Sequence, residues 1–368
     1  MAACIALLTA AAVTLFAAAL ATAPAVSAAE LRPWSVPYAE PLRLASLPLE
    51  LADGSDMASG EWEIALTPGY FNLWSGSWHT ATIHQELGLE GEPLTPEELR
   101  ILEQRHPGDD IHRFDVEGVI TELRLARGLG HGMTLTVSMP WVEIGSPHWD
   151  AISEEIHSAL GWGVGGREVF AHSQTLAYVW DPKEGRAIEG WDELEGSGVG
   201  DVRLALSGRL GAAWGGEHRW IAAVEAPTGD TGTIAGSGGW DAGVRWFATW
   251  RWRTRSLVAG AGYTWLDRSG NLLGLERADT WHLIASFEQD LGKGWGATGS
   301  FTYESSPLAD LTSTALGDGA AYLRLGVLAH VSERSWVALD MGQDWYGTGM
   351  SPDYAFRLTF GTGSRPRP

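Results

Sequence analysis

Carboxylate and guanidinium side chains recur in this chain at alternate positions of short, otherwise apolar segments. Glu61, Glu63, Asp201, Arg203, Glu225, Asp241, Arg245, Arg251, Glu288, Arg324, Asp340, Asp344 and Arg357 all fall on the polar parity of such segments. On the inner face of a sheet closed around water, such groups would line a pore and set its charge preference. They would equally pair with one another and fill the interior as an ionic network, because an unpaired buried charge is costly. Sequence order does not say which carboxylate meets which arginine, so both outcomes stay open.

Residues able to do covalent or metal chemistry are present without the spacing that chemistry needs. His79 and His84 share an acidic loop, while His157-Ser158 and His172-Ser173 are adjacent pairs whose side chains point different ways. Gly-x-Ser-x-Gly, His-Glu-x-x-His and metal-spaced cysteines are all missing. No catalytic residue, metal or cofactor is therefore expected, and His157 reads as a helix-packing or capping residue. Pro227-Thr228-Gly229-Asp230 and Gly236-Ser237-Gly238-Gly239-Trp240-Asp241 lack the lysine of a phosphate loop and the spaced acids of a calcium loop. Turn geometry explains them better.

The elements that must carry the charged residues are strands. Trp240, Ala242, Val244, Trp246, Ala248, Trp250 and Trp252 alternate with Asp241, Arg245, Thr249 and Arg251, so a strand here has one Trp-rich face and one charged face. Val202 to Leu210, Trp281 to Glu288 and Leu323 to His330 repeat the pattern. This is the dyad signature of a transmembrane β-barrel, apolar toward lipid and polar within. The 20 Trp and 47 Gly fit it, as interface anchors and as relief in bends and turns. A soluble Trp-rich β-sandwich or calycin is the alternative fold. The net charge of −21 argues against nucleic acid, which needs a basic footprint.

Residues 1–29 have an apolar core and a small-residue end before Glu30, and read as a secretory signal peptide containing the single cysteine, Cys4. Residues 30–59 are Pro-rich and read as a periplasmic lead-in or a short plug in the barrel mouth. The barrel is expected over 60–361, with a periplasmic tail at 362–368. Ser75 to Ile111 reads as a surface loop with a short helix, opened by the capping box Thr95-Pro96-Glu97-Glu98. Strands are expected at 112–126 and 133–143, with a bulge near Val119, where the apolar phase slips from Phe114 and Val116 to Leu123 and Leu125. Trp149, Ile152, Ile156 and Leu160 give an amphipathic helix.

From Gly200 onward, short connections alternate with long ones, which fixes strand directions because barrels of this kind have short periplasmic turns and longer external loops. That reading also inserts a hairpin, Gln174 to Trp180 and Arg186 to Glu193, before the Gly200 strand. The total is about fourteen strands, with twelve if the hairpin is only loop. The last strand, Phe356-x-Leu358-x-Phe360, looks like the aromatic-ended strand that the barrel assembly machinery reads.

Over Phe114 to Arg167 and Gly198 to Asp241 the chain resembles the bacterial family known as domain of unknown function 3187, predicted outer-membrane proteins. The resemblance rests on Met139-Pro140, on His157, Gly161, Gly166 and Arg167, on Gly198-Val199-Gly200-Asp201, on Pro227-Thr228-Gly229-Asp230, and on Gly236-Ser237-Gly238 with Asp241. It implies location and fold, and carries over no substrate and no catalytic residue. The expectation is a monomeric, all-β, antiparallel up-and-down barrel in the outer membrane of a Gram-negative bacterium, in contact with lipid and lipopolysaccharide. Its expected role is a passive channel or small-molecule transporter, with a lipid-modifying enzyme and a sealed structural or adhesive barrel as rivals.

Overall fold

The alternating segments pair into one antiparallel sheet that closes on itself. The computed structural model describes residues 47, 57–108, 111–145, 155, 167–172, 174–181, 186–190, 194–229, 235–268, 277–308, 317–346 and 354–364. The expected signal peptide, the expected lead-in or plug apart from Leu47 and residues 57–59, the expected 147–160 helix apart from Glu155, His157-Ser158, Ser173 and residues 365–368 lie outside these residues.

β1 (Trp62–Gly76), β2 (Ile111–Gly130) and β3 (Met133–Gly145) open the sheet, and β4 (Leu176–Asp181) and β5 (Arg186–Gly190) form a hairpin. β6 (Gly196–Val199) and β7 (Val202–Ala213) are one strand interrupted at Gly200 and Asp201. The meander continues through β8 (Gly216–Ala226), β9 (Asp241–Trp252), β10 (Arg255–Trp265) and β11 (Thr280–Gly292). It ends with β12 (Trp295–Glu304), β13 (Ala320–His330), β14 (Ser335–Tyr346) and β15 (Tyr354–Gly363). β1 pairs with both β2 and β15, and β3 pairs directly with β7, so twelve strands close the ring when β6 and β7 count as one.

The β4–β5 hairpin brings the total to fourteen strands but stands outside the ring, with β4 paired to β2 over Ile111 to Asp115, above the end of β3. Strand direction does not require the hairpin within the ring, because β3 rising and β7 descending are already antiparallel neighbours. Among the described residues no helix is long and apolar enough to cross a membrane.

Short turns gather at one end of the ring. His131-Gly132, Trp214-Gly215 and Lys293-Gly294 all have positive φ at both positions, between 50° and 80°. That is the backbone of a two-residue hairpin turn whose twist matches the flanking strands, and the glycine makes the second left-handed position cheap. By the barrel rule this end is periplasmic and the end bearing the long loops is external.

Along the ring, burial alternates residue by residue. In β11, Trp281, Leu283 and Phe287 are 43%, 47% and 45% exposed, whereas His282, Ser286 and Glu288 are 2%, 5% and 4% exposed. The outer face is therefore apolar and the inner face polar, which is stable only when the outer face meets lipid. Trp62, Trp214 and Trp252 mark its periplasmic rim, and Trp141, Trp240, Trp265 and Trp281 its external rim.

The bulge expected near Val119 is not there. The β1–β2 register runs unbroken from Gly76 opposite Arg113 to Trp62 opposite Arg127, and β2 slips against β3 only between Gly128 and Gly130. The apolar phase changes because the surroundings change. Toward the external end, β1 and β2 are buried on both faces. One face packs into a cluster that includes Phe71, Leu73, Phe114, Val116, Ile120, Val142, Ile144, Ala177 and Val179.

The other face packs against α1 (Trp78–Glu86) and α2 (Pro96–Arg105), where Trp74, Ile83, Leu99, Leu102, Phe170 and Tyr178 form a second core. The capping box is present: Thr95 accepts from the Glu98 amide, and the Glu98 carboxylate accepts from the Thr95 amide at 2.9 Å. The same carboxylate holds His84 Nδ1 at 2.6 Å, while His84 Nε2 lies 3.0 Å from the Glu92 carbonyl, which makes His84 a clamp between helix and loop.

Candidate functional site

The inner face carries a layer of ion pairs that begins just below the external loops. It starts where β6 gives way to β7. Pro140 has no N–H to offer across that break; its carbonyl accepts from Gly200 N at 2.7 Å, and a Cβ on Gly200 would collide with the proline ring. Asp201 keeps the inner parity of Arg203, and its carboxylate accepts the amides of Gly229 at 2.7 Å and Ser237 at 2.6 Å. Gly229 and Gly236 pack so closely against each other and against the Gly200-Asp201 backbone that neither has room for a side chain. The Gly-x-Gly-Asp, Pro-Thr-Gly-Asp and Gly-Ser-Gly motifs thus meet in one clasp, in which the Asp201 carboxylate ties Gly229 and Ser237 down onto the wall.

Below the clasp the charges pair along the wall. Arg203 Nε donates to Glu225 on the neighbouring strand at 3.0 Å, and its NH1 reaches over β3 to Glu122 at 3.1 Å. Arg124 holds Glu63 at 2.8 Å, and Arg357 holds Asp340, its register partner. Asp241 receives both terminal nitrogens of Arg277, at 2.8 and 3.0 Å, and the Asp267 amide at 2.9 Å. Arg277 is itself fully buried and also donates to the Asp267 carbonyl. Arg245 Nε lies 2.8 Å from His282 Nε2, and Glu288 accepts from Ser256 at 2.7 Å. Each named ion pair joins neighbouring strands, a strand and an adjoining loop, or strands one apart. Charge-assisted bonds of this kind offset part of the cost of taking ions from bulk water.

Glu61 and Arg251 stand at the periplasmic end, whereas Arg324 and Asp344 keep the inner parity of Tyr322 and Asp340. Glu61 precedes β1 and accepts from the Ala58 amide at 2.7 Å, in the turn that leads into the ring. Arg251 sits at the periplasmic rim, 40% exposed, with Glu217 at 3.3 Å. Arg324 is half-buried, its stem beside Gly342. Asp344 is placed by its backbone alone, opposite Tyr322.

Sequence reasoning missed Glu122, Arg124 and Arg277. The first two share the parity of Phe114 and Val116, so holding one register through β2, instead of invoking a bulge, would have put them inside. Arg277 lies in a long loop where no periodicity marks it.

The structure also brings Ser75 Oγ to 3.1 Å from His112 Nε2, a contact between two strands that the search for motifs did not pair. Both residues are buried at the external ends of their strands, and His112 Nδ1 has no hydrogen-bond partner among the described residues. A base without an orienting partner, closed off from solvent, is not arranged for nucleophilic catalysis.

The fold is that of an outer-membrane β-barrel. The COG4313 outer membrane channel from Pseudomonas putida F1 superposes with a TM-score of 0.52 at 11% identity, covering 86% of this chain and 100% of that one. A Pseudomonas aeruginosa FadL homologue gives 0.38 at 9% identity, over 89% and 99% of the two chains. The Ralstonia pickettii toluene transporter TbuX gives 0.37 at 10% identity, over 84% and 90%. No curated protein matches this sequence. A family model does match, over residues 108–363, which is most of the chain, and the protein belongs to the family described as "Protein of unknown function (DUF3187)".

Proposed function

We propose that this barrel is a narrow passive channel or small-molecule transporter of the outer membrane, with the inner charged layer as its lining. One observation carries the reading: the ion pairs named above, Arg203 with Glu225 and Glu122, Arg124 with Glu63, Arg357 with Asp340 and Arg277 with Asp241, run along the wall. Charges paired with wall neighbours are neutralised where they stand, whereas charges paired across the axis would fill it. Arg203, Glu225, Asp241 and Glu288 are nonetheless buried, so the path beside them is narrow. The likeness to an outer membrane channel supports the same reading. Folded-in loops and the apolar cluster around Phe114 and Ile144 narrow the external mouth, so the expected path is tight and selective.

Delivery follows from the same reading: residues 1–29 direct export in a Gram-negative cell, β15 presents its aromatic end to the assembly machinery, and the finished monomer meets lipid and lipopolysaccharide. The apolar cluster at the mouth favours one competing reading, a sealed structural barrel. Planar-bilayer recording on the heat-modifiable, detergent-extracted protein separates the two. Stepwise current that grows with each inserted molecule is expected, and silent insertions would overturn the channel reading.

A further inference from the structure

Across the inner wall the register aligns a row of small side chains: Thr136 of β3 lies opposite Ala205, Ala205 opposite Ala223, Ala223 opposite Gly243, and Gly243 opposite Thr264. These positions share the inner parity of Arg203, Glu225 and Asp241. The outward neighbours Val137, Leu204, Val224, Val244 and Trp265 are all exposed. With no bulk on strands β7 to β9, the row is a shallow groove in the wall. It adjoins an inner apolar patch of Ile221, Phe247 and Val258, with Ala205 and Ile284 packed against it.

The groove is occupied. Leu47, 2% exposed, packs against Ala223 and Ala205, and its carbonyl lies 3.5 Å from the Thr264 hydroxyl, which donates to it. Ten positions later the chain is at the opposite end of the ring. Met57 and Ala58 lie against Gly128, and Gly60 N donates to the Gly128 carbonyl at 2.9 Å. Ten residues reach at most about 33–36 Å, enough to run from the periplasmic rim to the external half of a barrel of this height.

We propose that the small-residue row is a docking seat for the chain's own N-terminal lead-in, with Leu47 as the peg, so that the lumen carries a tethered occupant from the same molecule. A leucine suits the seat because burying it against Ala223 and Ala205 removes apolar surface from water, and the tether holds it at high local concentration. The consequence for conduction, a path narrowed while Leu47 is seated, rests on the channel reading.

The test is thiol cross-linking in the folded, membrane-inserted full chain, with Cys4→Ser as background. Leu47→Cys combined with Ala223→Cys should link through a short bifunctional reagent about tenfold faster than Leu47→Cys with Ala222→Cys, whose partner faces outward, as expected for a tethered pair. Equal rates for the two pairs, or no linkage in either, would overturn the seat. A third variant covers misfolding: Ala223→Phe fills the groove, and labelling of Leu47→Cys by a membrane-impermeant maleimide should accelerate severalfold in barrels that keep their heat shift. Conductance of linked and unlinked barrels then separates the two ideas. Lower current in the linked form is expected, whereas linkage with no current in either form retains the seat and removes the channel.

Discussion

β1 and β2 each pass through two regions that share a backbone and differ in everything around it. In the ring below Phe71 and Ile120, outward Leu66, Leu123 and Leu125 are exposed, while inward Glu63, Glu122 and Arg124 are buried and charged. Above that level the order reverses. Phe71, Leu73, Phe114 and Val116 fill the inner face, and the outer face carries Asn72, Arg113, Asp115 and Glu117 beneath the helical cap. A strand's polarity is set by the solvent outside it. Within the bilayer that solvent is hydrocarbon, and beyond it the same parity faces water and packed loops. The cap is a small water-soluble core built on strand ends, and the ring is a membrane protein. Each should fail by its own rules.

The largest effect is expected in the cap. Trp74 packs edge-on to Phe170 at 6.0 Å, with the guanidinium of Arg113 3.2 Å and that of Arg167 4.4 Å from its ring centre. Trp74→Ala removes the common partner of all three and should cost the cap about 3–5 kcal/mol. External protease should then cut between residues 77 and 110 while the heat-shifted band of the ring persists. Loss of both together would mean that cap and ring are a single cooperative unit.

Leu123→Arg probes the ring side of the comparison. A cation on the lipid face near the midplane costs about 2–4 kcal/mol. The denaturant midpoint for folding into lipid vesicles should fall accordingly. An unchanged midpoint would mean that this face does not meet hydrocarbon, and the two-region picture would collapse. The smallest effect belongs to Thr95→Ala, which opens the capping box of α2 at a cost of about 1 kcal/mol. Faster hydrogen exchange at the Glu97 and Glu98 amides, with the ring midpoint unmoved, is the expected outcome. A moved midpoint would show that helix capping propagates through β2 into the membrane.

The residues differ in how legible they were. Trp240 to Trp252 announces a membrane strand because its two faces meet two extreme solvents. Thr95 to Glu98 announces a helix start because the cap is made within four residues. The 174–193 hairpin was visible for the same local reason, but its exclusion from the ring was not, since that depends on β3 choosing β7 as its neighbour. Val119 misled because a change of surroundings and a bulge leave the same trace in the sequence, a shift of apolar parity. Asp201 read as a strand residue facing inward and the glycines of 227–230 and 236–241 read as turns, and only their meeting showed that one carboxylate ties the turns to the wall.

The sequence by itself determined what is periodic and local: strand positions, the lipid-facing parity, the turn glycines, the direction of each strand and the helix cap. Tertiary structure alone decided what depends on distant partners. It set the twelve-strand closure, the pairing of Arg203 with Glu122 across β3, the capture of Asp241 by Arg277, and the seating of Leu47 on Ala223. The physical reason is that side-chain alternation is a property of one strand, readable wherever the two faces meet different solvents. Ring closure and inner-face contacts depend on the register and stagger among strands far apart in the chain, which no single segment encodes.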